Sequence, residues 1–93
     1  MTDREKMSSL INGLLLDKVS IDDFCEHFSQ TYFLEVDEET LTEEEDLLFR
    51  KLANMASRFS ASEEDFTRYP KVYYREETIR SEAKQIALQL HII

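Results

Sequence analysis

The chain contains one glycine, Gly13, and one proline, Pro70. That scarcity limits the folds open to it more than any motif does. A β-sandwich or barrel needs turn chemistry at every hairpin, and this chain offers almost none. Helices joined by a few short connections need far less. The apolar residues agree, recurring at three- and four-residue spacing along most of the chain. Ninety-three residues with 42% hydrophobic content can close one small core. The expected fold is therefore all-α: one domain over residues 1–93, most simply an antiparallel four-helix bundle.

The first helix is predicted over about Asp3 to Leu16, with Met7, Leu10, Ile11, Leu14 and Leu15 on one face. Gly13 costs ~1 kcal/mol there against alanine and fits a close approach of a neighbouring segment. After a turn at Asp17 and Lys18, Ser20 is an N-cap with Asp23 three residues on, and Val19 and Phe24 form a hydrophobic staple. The second helix is predicted to run to about Tyr32, with Ile21, Phe24, Cys25, Phe28 and Tyr32 inward. Phe33, Leu34 and Val36 then enter a loop, and their side chains are expected to tuck beneath it. The third helix is predicted from near Thr42 to about Phe59. Leu48, Leu52, Met55 and Phe59 mark its inner face, widened by Phe49, Ala53 and Ala56. SASEED offers caps at Ser60 or Ser62 for a short turn through Phe66 to Tyr69, which Pro70 ends. Lys71 to Tyr74 is expected to be irregular. The last helix is predicted over about Arg75 to Leu90, with Ile79, Ala83, Ile86, Ala87 and Leu90 inward.

Charge is distributed unevenly along this frame. Leu34 to Asp46 reads LEVDEETLTEEED, with eight carboxylates and no lysine, arginine or histidine, in a chain of net charge −9. Crowded like charges repel, so the run needs a reason. A helix N-terminus uses some of them, and a capping box, Thr42 with Glu45 or Thr40 with Glu43, uses one. The rest form either a solvated loop or a patch presented to a strongly basic partner. The candidate contact residues here are Glu35, Asp37, Glu38, Glu39, Glu43, Glu44 and Asp46. A second cluster, Glu63, Glu64 and Asp65, lies beside Phe66 and three more candidates, Tyr69, Tyr73 and Tyr74. Tyrosine ringed by charge is typical of interface anchors.

Other chemistries find little support. Cys25 and His27 are two residues apart on a helix and point about 200° apart, which does not suit a nucleophile and its base. Cys25 reads as a small core residue, and His91 as a stabiliser of the last helix end. No Cys/His cluster has zinc spacing, and the acidic stretch lacks the glycine of a calcium-binding loop. An acyl carrier would need Asp-Ser-Leu where this chain has LDKVSIDDF. The expectation is a protein that is not an enzyme and carries no metal or cofactor. Its acidity argues against direct contact with nucleic acid or anionic membranes. No apolar run approaches the ~18 residues of a membrane span, LINGLLL lacks a cleavage site, and one cysteine suits a reducing compartment. A cytoplasmic location follows as an expectation.

In the order of its elements the chain resembles the colicin D-type immunity proteins. LINGLLLDKVSIDDFCEHF resembles their opening: an apolar helix, a small-residue turn ending in serine, then an acid pair and phenylalanine. The acidic start to helix three, its end at Arg58-Phe59, the loop SASEED and the closing EETIRSEAKQIALQL with Ile79-Arg80 follow in the same order. The likeness covers about Leu10 to Leu90. Tyr73-Tyr74 gives a weaker likeness to the DNase-blocking immunity proteins, without their Ser-Pro-Glu-Gly. Immunity proteins of contact-dependent inhibition systems include members like both. The resemblance implies a cytoplasmic bacterial protein, monomeric when free, that binds the C-terminal nuclease domain of a toxin one to one. In the colicin D type that toxin is a ribonuclease acting on transfer RNA, and acidic residues cover its basic active site. Glu63, Glu64 and Asp65 match the family's acidic loop by position; the role given to Glu35 through Asp46 rests on charge alone. The competing class is an acidic adaptor or regulator of a DNA- or RNA-binding protein.

Overall fold

Three of the four long helices open on a cap supplied by a single hydroxyl. The computed structural model describes residues Thr2–Ile92, with Glu38 described by its backbone alone. Helix α1 (Asp3–Leu15) starts at Thr2, whose hydroxyl accepts the Glu5 N–H at 3.1 Å. Helix α2 (Ile21–Gln30) starts at Ser20, which accepts the Asp23 N–H at 3.2 Å. Helix α3 (Glu43–Ser57) opens on a complete capping box: Glu45 N–H to Thr42 at 3.1 Å, and Thr42 N–H to the Glu45 carboxylate at 3.0 Å. The short α4 (Glu63–Arg68) and the long α5 (Glu76–Gln89) have no side-chain cap. Among the described residues every regular element is helical. The sole exception is an isolated parallel bridge, Phe59 to Tyr74, closed by Tyr74 N–H to Arg58 O at 2.9 Å and Ser60 N–H to Tyr74 O at 3.1 Å.

Two helices end without the glycine that usually terminates them. After α1, Asp17 adopts φ 57°, with Asp17 N–H bonded to Leu14 O and Lys18 N–H to Gly13 O at 3.1 and 2.9 Å. After α5, His91 adopts φ 59°, with its N–H to Leu88 O and Ile92 N–H to Ala87 O at 3.4 and 2.8 Å. Both are Schellman closures built on a left-handed non-glycine residue. Gly13 instead serves a close approach: a Cβ there would lie 2.7 Å from Val19 Cγ2, so the α1–α2 turn folds directly over it.

Helix α1 packs on α2 and α5, and α3 packs on the same two. Met7, Ile11, Leu14, Phe24, Phe28, Phe49, Leu52, Ile79 and Ile86 fill the space between them. Phe24 and Phe28 stack at 5.0 Å, and Phe28 meets Phe49 edge-on at 6.3 Å. Reciprocal arginines fix α1 against α5. Arg4, near the start of α1, donates to Leu90 O at 3.1 Å, and Arg80, near the start of α5, donates to Leu14 O at 3.0 Å. Each guanidinium reaches a carbonyl at the other helix's C-terminal end, so the two run antiparallel. The radius of gyration, 12.9 Å, is close to the ~12 Å of one domain of this length.

Several boundaries differ from expectation. Helix α2 stops at Gln30 rather than Tyr32 and passes into a single π-helical turn, Thr31–Glu35. That turn leaves Phe33 and Leu34 exposed instead of tucked under the loop. Leu48 and Phe59 are half-buried, not buried. Phe49, Leu52, Ala53, Met55 and Ala56 take the centre of α3's buried stripe, which moves Leu48 to its margin. Phe59 lies past the helix, in the bridge. Helix α4 starts at Glu63 on Ser62, one of the two expected caps, although the Ser62 side chain makes no capping bond, and it ends at Arg68 rather than Tyr69.

Candidate protein-binding surface

The α2–α3 junction is held by the same acids that make it negative. In the π-helical turn Val36 N–H reaches back to Thr31 O at 3.0 Å. Tyr32 points inward: its hydroxyl donates to Asp46 at 2.5 Å and accepts from Arg50 Nε at 3.1 Å. Arg50 closes the triangle on Asp46 at 2.6 Å. Burial first, then the Asp46 carboxylate, pushes the Tyr32 hydroxyl above its ordinary pKa, against the pull of Arg50. Beyond the turn, Asp3 accepts the Asp37 N–H at 3.0 Å and the Thr40 hydroxyl at 2.7 Å. The Thr40 bond, then the Asp37 bond, with Lys6 nearby, hold the Asp3 carboxyl below its usual value. A 3-10 turn, Glu38–Thr40, leads to Leu41, which is buried and pins the segment to the core.

The eight acids divide by task. Glu45 is buried, completes the capping box and pairs with Arg4. Burial alone would raise its pKa; the Thr42 N–H and the Arg4 guanidinium outweigh that and lower it. Asp46 is also occupied inward, which removes this candidate contact from the free surface. Asp37 spends one oxygen on the Glu39 N–H at 3.0 Å. Glu35, Glu39, Glu43 and Glu44 are exposed and have no side-chain hydrogen bond or ion pair among the described residues. The Glu38 side chain lies outside what is described. Among these acids stand three exposed apolar side chains, Phe33, Leu34 and Leu47, at 51, 81 and 65% exposure. Phe33 meets the Tyr32 ring edge-on at 5.2 Å, and Leu47 follows Asp46, the residue that anchors Tyr32.

The second cluster is differently built. Arg75 grips Glu63 with two bonds of 2.6 and 3.2 Å and lies 4.0 Å over the Phe66 ring. Arg75 holds the Glu63 carboxyl below its usual value, and Glu63 raises Arg75 in turn. Glu64 pairs with Arg68 at 3.1 Å, and Asp65 accepts the Ser60 hydroxyl at 2.6 Å. Tyr69 is exposed and meets the half-buried Tyr73 edge-on at 6.2 Å. Tyr74 is half-buried, packed against the core and held by its backbone bridge. The two clusters lie at opposite ends of α3, whose 15 residues span ~22 Å. The structure therefore does not bring all the candidate acids together, and of the two groups only the first has carboxylates with no side-chain hydrogen bond or ion pair among the described residues.

Sequence reasoning missed the apolar members. Their signal is faint: Leu47 precedes Leu48 but falls off the stripe that Leu52 and Met55 define, and Phe33-Leu34 is a tandem pair with no periodic partner. Cys25 is buried, and burial, then the charges of Asp22 and Glu76, push its thiol up to about 12. Such a thiol is inert at neutral pH. Among the described residues no three His, Cys, Asp or Glu side chains are placed to hold a metal ion, and no helix is long and apolar enough to cross a membrane.

Comparison with family models, curated proteins and solved structures gave no match.

Proposed function

We propose that this protein binds a basic protein partner and acts as an immunity protein, neutralising a bacterial toxin nuclease of the transfer-RNA-cleaving kind by covering its cationic active site. The observation that carries the reading is the set Glu35, Glu39, Glu43 and Glu44, exposed and without partners among the described residues. The positive start of α3 favours Glu43 and Glu44, but crowding four like charges costs the fold stability, and Glu35 and Glu39 lie outside that helix. A nuclease, for its part, must present lysines and arginines to phosphates. Carboxylates held on a firm frame can occupy that groove and exclude RNA. Opposed charge also speeds the encounter, which an inhibitor needs before the toxin cuts. The frame in this reading is an antiparallel four-helix bundle of α1, α2, α3 and α5, acting in the cytoplasm as a monomer and binding one toxin domain. The order of elements, with its likeness to the colicin D-type immunity proteins, favours this reading over an adaptor for a nucleic-acid-binding protein.

The reading expects a large secreted protein with a basic C-terminal domain to be encoded beside this gene, and its test is co-expression with that domain, scoring survival and transfer-RNA integrity. Glu39, Glu43 and Glu44 changed together to lysine should abolish protection, while Glu5, Glu26 and Glu77 changed together to lysine should not. Association should slow steeply as salt rises, with dissociation changing less. Equal loss in both triple variants would reduce the site to net charge, and failure of the unaltered chain to protect would end the immunity reading.

A further inference from the structure

We infer that the π-helical turn is an apolar plug: Phe33 and Leu34, with Leu47, dock on an apolar patch ringed by lysine and arginine on the partner protein. The inference rests on the partner being a basic protein, and it adds what charge alone does not supply, the contacts that hold the complex together. Apolar surface left in water gains the fold nothing, yet Leu34 is the most exposed large apolar residue among those described, and Phe33, though it meets the Tyr32 ring, is also exposed. The turn that carries it is fixed, by the Val36–Thr31 bond and by the Tyr32–Asp46–Arg50 triangle. A side chain presented on a fixed turn loses little freedom on docking, so most of its burial is retained as affinity.

The carboxylates decide what can cover this patch. A second copy meeting it about a two-fold axis would set Glu35, Glu39, Glu43 and Glu44 against themselves. An anionic bilayer would be repelled by the same groups. A cationic protein surface with an apolar centre satisfies both parts at once, the apolar contacts slowing dissociation and the rim steering approach. The acids of α4 do not compete for this role, because Glu63, Glu64 and Asp65 are each engaged within the chain.

The probe is a helical peptide of lysine and leucine with one leucine face, compared with oligolysine of equal charge, each titrated into the isotopically labelled full chain. The lysine–leucine peptide should bind saturably at physiological salt, shift resonances across residues 31–47, and bind about tenfold or more tighter than oligolysine. Leu34→Ser and Phe33→Ser should bring its affinity down to the oligolysine level with helix content unchanged, since both side chains lie outside the core. Shifts centred on α4, or an affinity indifferent to Leu34→Ser, would overturn the inference. So would a dimer in sedimentation that Leu34→Ser dissociates, which would make the occupant a second copy. The peptide result does not depend on toxin neutralisation. Conversely, full protection against a nuclease by Leu34→Ser would remove the plug while leaving the immunity reading intact.

Discussion

Replacing Glu45 separates the acid that holds the fold from the acids that face outward. Its carboxylate accepts the Thr42 N–H and the Arg4 guanidinium, and Arg4 also reaches Leu90 O, so one side chain links the starts of α1 and α3 to the end of α5. Glu45→Ala removes half of the capping box, worth ~0.5–1 kcal/mol. It also removes a charged hydrogen bond, worth ~1.5–3 kcal/mol when both partners are buried. The Arg4 side chain is 44% exposed, so water recovers part of that loss. The expected cost is about 2 kcal/mol, a fall in Tm of about 10 °C for a domain of this size. Glu45→Gln keeps an acceptor for the Thr42 N–H and should cost about 1 kcal/mol. Because the folded carboxyl titrates below its ordinary value of 4.5, its contribution is complete at neutral pH. That contribution is lost as pH falls below that value. Glu45→Gln should therefore flatten the acid limb of the stability profile. The assay is urea unfolding followed by circular dichroism across pH, with Arg4→Met closing a double-mutant cycle. A cost below ~0.5 kcal/mol for Glu45→Ala, or an unchanged acid limb for Glu45→Gln, would refute the argument, since either falls short of a single lost hydrogen bond. Partner binding should be unaffected by Glu45→Gln.

Two further experiments probe the frame. Gly13→Ala should destabilise by about 1 kcal/mol, because overpacking against Val19 Cγ2 at 2.7 Å exceeds the gain in helix propensity. In a Val19→Ala background the same change should become neutral or stabilising in urea unfolding, and a stabilising effect with Val19 present would show that the contact yields. Cys25, with its thiol pushed up to about 12, should react with a thiol reagent only as fast as the protein opens. Rapid native-state labelling at neutral pH would place it outside the core.

The inward faces of the helices were legible in the sequence because one periodicity sets both. Ile21, Phe24 and Phe28, or Ile79, Ile86 and Leu90, recur at helical spacing and are buried together. Starts were legible too, since Ser20 and the Thr42–Glu45 box are local chemistry. The ends of α1 and α5 were legible to within a residue, Leu16 and Leu90 being their C-caps. The way they close was not, because Asp17 and His91 occupy left-handed positions where glycine is the usual signal, and neither residue announces it. His91, expected to stabilise the last helix end, closes that end with its backbone. The candidate surface was legible as charge and hidden as pairing. Nothing in Glu63-Glu64-Asp65 shows that Arg75, Arg68 and Ser60 engage them, and nothing in Asp46 shows that Tyr32 folds back to it. Glu64 with Arg68 is an i,i+4 pair that spacing could have offered; the others are set by how the chain folds back on itself, which neither composition nor spacing encodes. Phe33 and Leu34 were misplaced for a related reason: apolar residues near an acidic loop suggest burial unless the turn before them adds a residue and rotates them outward.

The bridge between Phe59 and Tyr74 gives the chain a hem. Its two backbone bonds gather the ends of the segment from Ser60 to Tyr73, and α4 within that segment contributes no buried residue. The four long helices close without it. Fluctuations that unravel α4 can thus stay local, stopping at the stitched amides of Ser60 and Tyr74 rather than spreading into the packed interior. The same stitching frees the enclosed sequence to change in length at small entropic cost. A protein made this way can alter the pouch beyond its hem, tyrosines included, while the body of the fold keeps its shape.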